Sequence, residues 1–181
     1  NNLEGLANLL VGNAAVVITN PKTGEILTMV GSRGFFNVIA EGYVNVATSL
    51  QQPGSAIKVV NYAAALENSF TAASILDDSP VVYNYPGSPP YAPVNYDGKF
   101  HGFVPLRYAL GNSYNIPAVK VLAKIGVKTM IQKGRIMGIE SWKDESQYGL
   151  SLTLGGGEVT MLEMAKVFGT LANSGKRQDL L

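Results

Sequence analysis

Apolar residues fall into distinct patterns along the chain. Residues 14–19, Ala-Ala-Val-Val-Ile-Thr, are rich in β-branched side chains and read as a strand. Asn20-Pro21-Lys22-Thr23-Gly24 is a turn, because proline presets φ and glycine tolerates positive φ. Residues 25–30, Glu-Ile-Leu-Thr-Met-Val, read as the returning strand, and the apolar runs predict a hairpin covered on both faces. Ahead of it, Leu3 to Leu10 carries apolar residues at helical spacing. Residues 31–54 are polar and contain glycine. From Ser55 the pattern changes: Ile57, Val60, Tyr62, Ala63, Ala64, Ala65 and Leu66 predict a largely buried helix ending near Asn68.

Ser79 to Gly102 is rich in Pro, Gly, Tyr and Asn and reads as a long loop. Loops of that length are functional or wrap the surface, and its aromatic side chains serve equally well to pin it down. A helix follows from Pro105 to Leu110, a break at residues 111–115, and a second helix from Pro117 to Ile125. Residues 127–137 predict a third helix closed by Gly138. After Gly155-Gly156-Gly157, Thr160-Met161-Leu162-Glu163 has the capping-box pattern and opens a last helix that stops near Gly175. A strand pair is thus followed mostly by helices. Two strands rarely stand alone, so this sheet is expected to need more strands than the chain supplies.

Composition narrows the function. In 181 residues, 46% are hydrophobic and 15% charged, which excludes disorder and allows a real core. A net charge of +1, with no basic stripe, removes nucleic acid as a partner. Without cysteine there is no disulfide framework, thiol chemistry or cysteine-ligated metal. The single histidine, His101, makes a histidine metal site improbable, and its Gly/Pro/Tyr-rich setting reads as a loop residue without chemistry. No cofactor is expected. No run of about 18 apolar residues exists to span a membrane.

The chemistry-bearing residues are few. Ser55-Ala56-Ile57-Lys58 is S-x-x-K, and residues three apart share one helix face. A serine hydroxyl needs a base, and a lysine of ordinary pKa about 10.4 becomes one only when desolvation or a nearby cation lowers it. Ile57, Val59 and Val60 offer that apolar setting. At the helix start, free N–H groups suit a developing oxyanion. Taken alone, the four residues read better as an N-cap serine with a surface lysine. Ser113 and Asn115 lie in the break between two helices. If the chain is extended there, both side chains enter one cleft, the serine to relay a proton and the amide to hold a peptide group or the Lys58 amine. Taken alone, this segment too is a turn with an N-cap.

Order along the chain changes that balance. Gln52-Pro53-Gly54-Ser55-Ala56-Ile57-Lys58 resembles the Q-P-G-S-x-x-K signature of penicillin-binding protein transpeptidase domains. Residues 112–119, Asn-Ser-Tyr-Asn-Ile-Pro-Ala-Val, resemble that family's S-x-N segment and following helix. Residues 21–27 are similar to its hairpin ahead of the nucleophile. Residues 95–100, Asn-Tyr-Asp-Gly-Lys-Phe, and 154–160, Leu-Gly-Gly-Gly-Glu-Val-Thr, are most similar to the bifunctional class A branch. The resemblance implies a mixed α+β fold, an antiparallel sheet flanked by helices with a helical subdomain. It implies Ser55 as the nucleophile acylated by D-Ala-D-Ala stem peptides and by β-lactams, and Lys58 as its base. Ser113 then passes a proton to the departing D-alanine, and Asn115 positions substrate and lysine. An acceptor amine completes a peptidoglycan cross-link. The setting implied is the outer face of the bacterial cell membrane, with the anchor outside these residues.

Lys22-Thr23-Gly24 spells the K-T-G that this family carries as a third motif. Here it precedes the nucleophile, and it is read as hairpin-turn chemistry. The family's own K-T-G strand follows the last helix. Residues 1–181 are therefore expected to be a partial transpeptidase domain, inactive unless a second chain completes it. Two alternatives remain. A β-lactamase needs a water-activating carboxylate; no E-x-x-L-N segment is present, and Glu140, Glu145 and Glu158 are unplaced substitutes. A β-lactam sensor would keep Ser55 and Lys58, but residues 148–150 lack the asparagine that follows Tyr-Gly in the oxacillinase-like sensors.

Overall fold

The structure is a computed structural model, and it describes residues 12–181 apart from Ala40. The helical spacing at Leu3–Leu10 lies outside the described residues. Strands β1 (Val16–Thr19) and β2 (Ile26–Val30) form an antiparallel pair, with a register shift between Ile18 and Thr19. The turn joining them is the expected one: Gly24 has φ 82, and Gly24 N–H donates to Asn20 O. Helices α1 (Lys58–Glu67), α2 (Leu106–Gly111), α3 (Asn115–Ile125), α4 (Val127–Met137) and α5 (Met161–Ala172) follow. A second antiparallel pair, β3 (Ile75–Asp78) with β4 (Gly102–Pro105), flanks the long loop. Sequence pattern missed it, because Ile-Leu-Asp-Asp and Gly-Phe-Val-Pro lack β-branched runs and carry Asp, Gly and Pro, which strands disfavour. The fold is mixed α+β, as expected.

The chain divides into two compact units. The first holds the hairpin, Arg135–Trp142 and Glu158–Leu181. Helix α5 packs on β1. It opens with a complete capping box: Thr160 Oγ1 accepts the Glu163 N–H, and Glu163 Oε2 accepts the Thr160 N–H. Glu163 also accepts N–H bonds from Glu140 and Ser141, both at 2.8 Å. The expected two-sided cover of the hairpin is corrected here. Val16, Ile18, Leu27 and Met29 are 46–61% exposed: α5 packs on β1, and β2 is left largely uncovered on both faces. Leu181 N–H donates to Gly24 O, and Ile26 N–H to Leu181 O, so the terminal residue pairs with the hairpin.

The second unit, Pro53–Gly134 with Lys143–Gly157, carries the chemistry-bearing residues. Its core gathers Tyr62, Ala65, Leu76, Val104, Leu106, Ala109, Ala118 and Val121 from α1, β3, β4, α2 and α3. Helix α3 is buried nearly all round, from Ile116 to Leu122. Buried Asn61 ties three elements together. Its Nδ2 donates to Ala118 O at 2.9 Å and to Thr153 Oγ1 at 2.8 Å, joining α1 to α3 and to the 3-10 turn Leu150–Leu154. The long loop is pinned by a two-way backbone bridge between Tyr83 and Tyr91 and by buried Asn95, while Tyr85, Tyr96 and Phe100 are exposed.

Candidate active site

Ser55 stands in a 3-10 turn, Gly54–Ile57, that runs directly into α1. The expected helix start is therefore tighter than an α-helix. This suits S-x-x-K, because side chains three apart eclipse one another in a 3-10 turn. Two glycines make the turn. Gly54 takes φ 55. Gly155, at φ 96, lies so close that a Cβ there would stand 2.4 Å from Gly54 N. The Leu-Gly-Gly-Gly segment thus abuts the backbone just before the serine. Ser55 is exposed; Lys58, three residues on, is wholly buried.

The Lys58 Nζ has three acceptors. Ser113 O and Asn115 Oδ1 lie at 2.6 Å and Ser113 Oγ at 3.1 Å. Burial pulls the Lys58 pKa down to about 8. The acceptor set fits both charge states. An ammonium donates to all three. A neutral amine gives its two hydrogens to the carbonyl-type oxygens and keeps a lone pair for a hydroxyl proton. A buried lysine so placed can serve as a general base near neutral pH.

Ser113 reaches Lys58 by a route that the sequence reading did not foresee. The extended chain on which the shared cleft was argued does not occur at Ser113. Ser113 is left-handed, with φ 56, and α3 begins at Asn115 rather than at Pro117. The residues close a Schellman motif on α2: Ser113 N–H donates to Leu110 O and Tyr114 N–H to Ala109 O, each at 3.0 Å. Serine fills the place that glycine usually holds. The sharp reversal turns its carbonyl and hydroxyl toward the same lysine. Asn115 is clamped by the long loop. Its N–H donates to Asn95 Oδ1 and its Nδ2 to Val94 O, both at 2.8 Å, which leaves Oδ1 for Lys58.

The four residues singled out from sequence thus lie in one unit, and Lys58, Ser113 and Asn115 are directly hydrogen-bonded. Asn95 was missed as a contributor. Its signal was its place as the first residue of the 95–100 segment that resembles the class A branch. His101 does more than occupy a loop: its Nδ1 lies 2.6 Å from Asp78 Oδ2, and its ring stacks on Tyr114 at 4.0 Å. Glu140 pairs with Lys166, Glu145 lies 3.8 Å from Lys128, and Glu158 is exposed. The described residues include no cluster of His, Asp or Glu that could hold a metal ion. None of their helices is long and apolar enough to cross a membrane.

Comparison with known proteins gives concordant matches. The family model described as the penicillin binding protein transpeptidase domain matches residues 14–181. Penicillin-binding protein 1A of Rickettsia bellii is 37% identical over 166 residues, which are 91% of this chain and 20% of that protein. The crystal structure of penicillin-binding protein 1A from Haemophilus influenzae superposes with a TM-score of 0.79 at 34% identity, over 89% of this chain and 23% of that one. Penicillin-binding protein A of M. tuberculosis, solved as a ceftriaxone acyl-enzyme complex, superposes with a TM-score of 0.77 at 25% identity, over 93% and 47% of the two chains. The chain spans about a fifth of the length of the curated relatives it matches.

Proposed function

Since this chain belongs to the penicillin-binding protein transpeptidase domain family, we propose that Ser55 is the nucleophile of a D,D-transpeptidase that cross-links peptidoglycan stem peptides. One observation carries the reading. Lys58 is wholly buried three residues after an exposed serine, with its amine held by Ser113 and Asn115.

In this reading Ser55 Oγ attacks the carbonyl between the two D-alanines while Lys58 takes its proton. The tetrahedral intermediate collapses, the C–N bond breaks, and the departing amine takes a proton passed through Ser113 Oγ. An acyl ester on Ser55 remains. Asn115 keeps Lys58 in place through Oδ1, and its Nδ2 has a second hydrogen to offer a substrate carbonyl. A neighbouring stem-peptide amine then attacks the ester, and Ser55 regains its proton. A β-lactam ring opens on the same serine, in keeping with the acyl-enzyme formed by the M. tuberculosis homologue. The protein works at the outer face of the cell membrane, where its substrate lies.

Intact mass spectrometry after adding penicillin tests this. The expected result is one adduct on the full-length wild type and none on the full-length Ser55→Ala variant. An adduct on both would overturn the assignment of Ser55.

A further inference from the structure

Behind the lysine lies a second layer of polar residues that the proposed chemistry does not use. Asp78, at the end of β3, is wholly buried. Its two oxygens accept from Asn95 Nδ2 at 2.8 and 2.9 Å, and Oδ2 also accepts the His101 N–H at 3.0 Å. The His101 Nδ1 lies 2.6 Å from that oxygen, and its Nε2 is 3.1 Å from Asp97 Oδ2. A buried carboxylate is costly unless hydrogen-bonded, and Asp78 meets that need with donors from the long loop alone.

Asn95 then bonds Asn115, which holds Lys58, and His101 stacks on Tyr114, which lies between Ser113 and Asn115. With its amide hydrogens on Asp78 and on Lys99 O, Asn95 has its oxygen fixed toward the start of α3. That oxygen accepts the N–H groups of Asn115 at 2.8 Å and Ile116 at 3.3 Å. The opposite amide orientation would set an NH2 group against those two N–H donors, so Asp78 decides which way Asn95 faces. The His101 ring lies flat on Tyr114, 11° from parallel, and Tyr114 joins Ser113 to Asn115.

We propose that Asp78, acting through Asn95 and His101, is a positioning unit that sets Ser113 and Asn115 against Lys58. The inference rests on the reading of Ser55 and Lys58 as the reacting pair. Asp78, Asn95 and His101 do not touch the reacting atoms. They act through the turn that carries Ser113 and through the first residue of α3.

The test compares wild type, Asn95→Ala and His101→Gln in the intact polypeptide, following acylation by a fluorescent penicillin across pH. End-point adduct mass measures the folded fraction and separates stability from rate. Both variants are expected to reach the full end point with a plateau rate lower by roughly 100-fold, the scale of a misplacement of about 1 Å. The pH midpoint should move down, because an ammonium that loses the Asn115 oxygen loses stabilisation of its charged form. Where Asn95→Ala falls short of a full end point, His101→Gln decides, since that side chain is 24% exposed and its loss leaves Asn95 in place. Wild-type rate and midpoint in the deciding variant would overturn the inference. Absence of acylation in the wild type would count against the Ser55 reading instead. The Lys58 titration, followed by 13Cε chemical shift, would then decide: a midpoint unmoved by Asn95→Ala overturns the positioning role, and a lowered one supports it.

Discussion

Lys58 and Ser113 meet twice, since the lysine amine reaches both the carbonyl oxygen of Ser113 at 2.6 Å and its hydroxyl at 3.1 Å. One residue offers both groups because its φ of 56 folds them to the same side. The carbonyl always accepts. The hydroxyl can accept from the ammonium or donate to the neutral amine. Ser113 is therefore a partner for either charge state, which a proton-transferring site requires.

The rate of acylation should rise with pH through about 8. Burial lowers Lys58 from the ordinary lysine range, and the neutral amine, which predominates above that value, is the proposed base. A pH–rate profile with penicillin checks this; a rate flat between pH 6 and roughly 9 would contradict it. Lys58→Arg should abolish acylation, since a guanidinium stays protonated.

Substitution at Ser113 should separate strain from chemistry. Ser113→Ala keeps the left-handed backbone and loses the hydroxyl; Ser113→Gly loses the hydroxyl and the strain together. Both should acylate slowly, by about 100-fold if the hydroxyl is a proton relay. The glycine variant should be more stable than the alanine variant by about 1 kcal/mol in urea unfolding. Equal stability of the two would show that the turn stores no strain.

Gly155→Ala should damage the serine turn from a distance in sequence. The new Cβ would stand 2.4 Å from Gly54 N, on a backbone with φ 96 that alanine rarely adopts. A loss of roughly 2–3 kcal/mol is expected, with slower acylation at the same stoichiometry in the folded fraction. Urea unfolding and stopped-flow acylation read the two effects separately.

Glu163 should make the first unit sensitive to acid. Burial opposes its charge, but bonds from Ser141, Thr160 and Glu140 outweigh burial and hold the carboxyl below its usual range. The sign follows: the stabilisation is fully present above the unfolded-state value of about 4.3 and is lost as pH falls through the lower folded value. Glu163→Gln should flatten that limb and lower stability at neutral pH by about 2 kcal/mol, because an amide cannot replace every accepted bond. An acid limb unchanged in the variant would refute this.

Much of the fold was legible because its signals are local. The hairpin turn needs only Pro21 and Gly24, and the last helix announces itself through Thr160 and Glu163. Helices α1, α3 and α4 follow from apolar spacing. The pair β3 with β4 was not legible, since its residues include Asp, Gly and Pro, which read as turn rather than strand. The cover of the hairpin was misjudged because an apolar run states that burial is favourable, not which element supplies it.

The sequence by itself determined which residues are proposed to carry the chemistry. Ser55 and Lys58 sit three apart on a turn, a relation the chain imposes wherever that turn goes. The order of the flanking segments assigned them to a family. Only the tertiary structure decided that Lys58 is buried, that the turn after α2 is left-handed, and that Asp78 holds Asn95 toward α3. The first and last of those facts depend on groups 17 to 57 residues apart meeting in space. A carboxylate, an amide and an amine acquire their roles there from burial and mutual orientation, which no local pattern encodes.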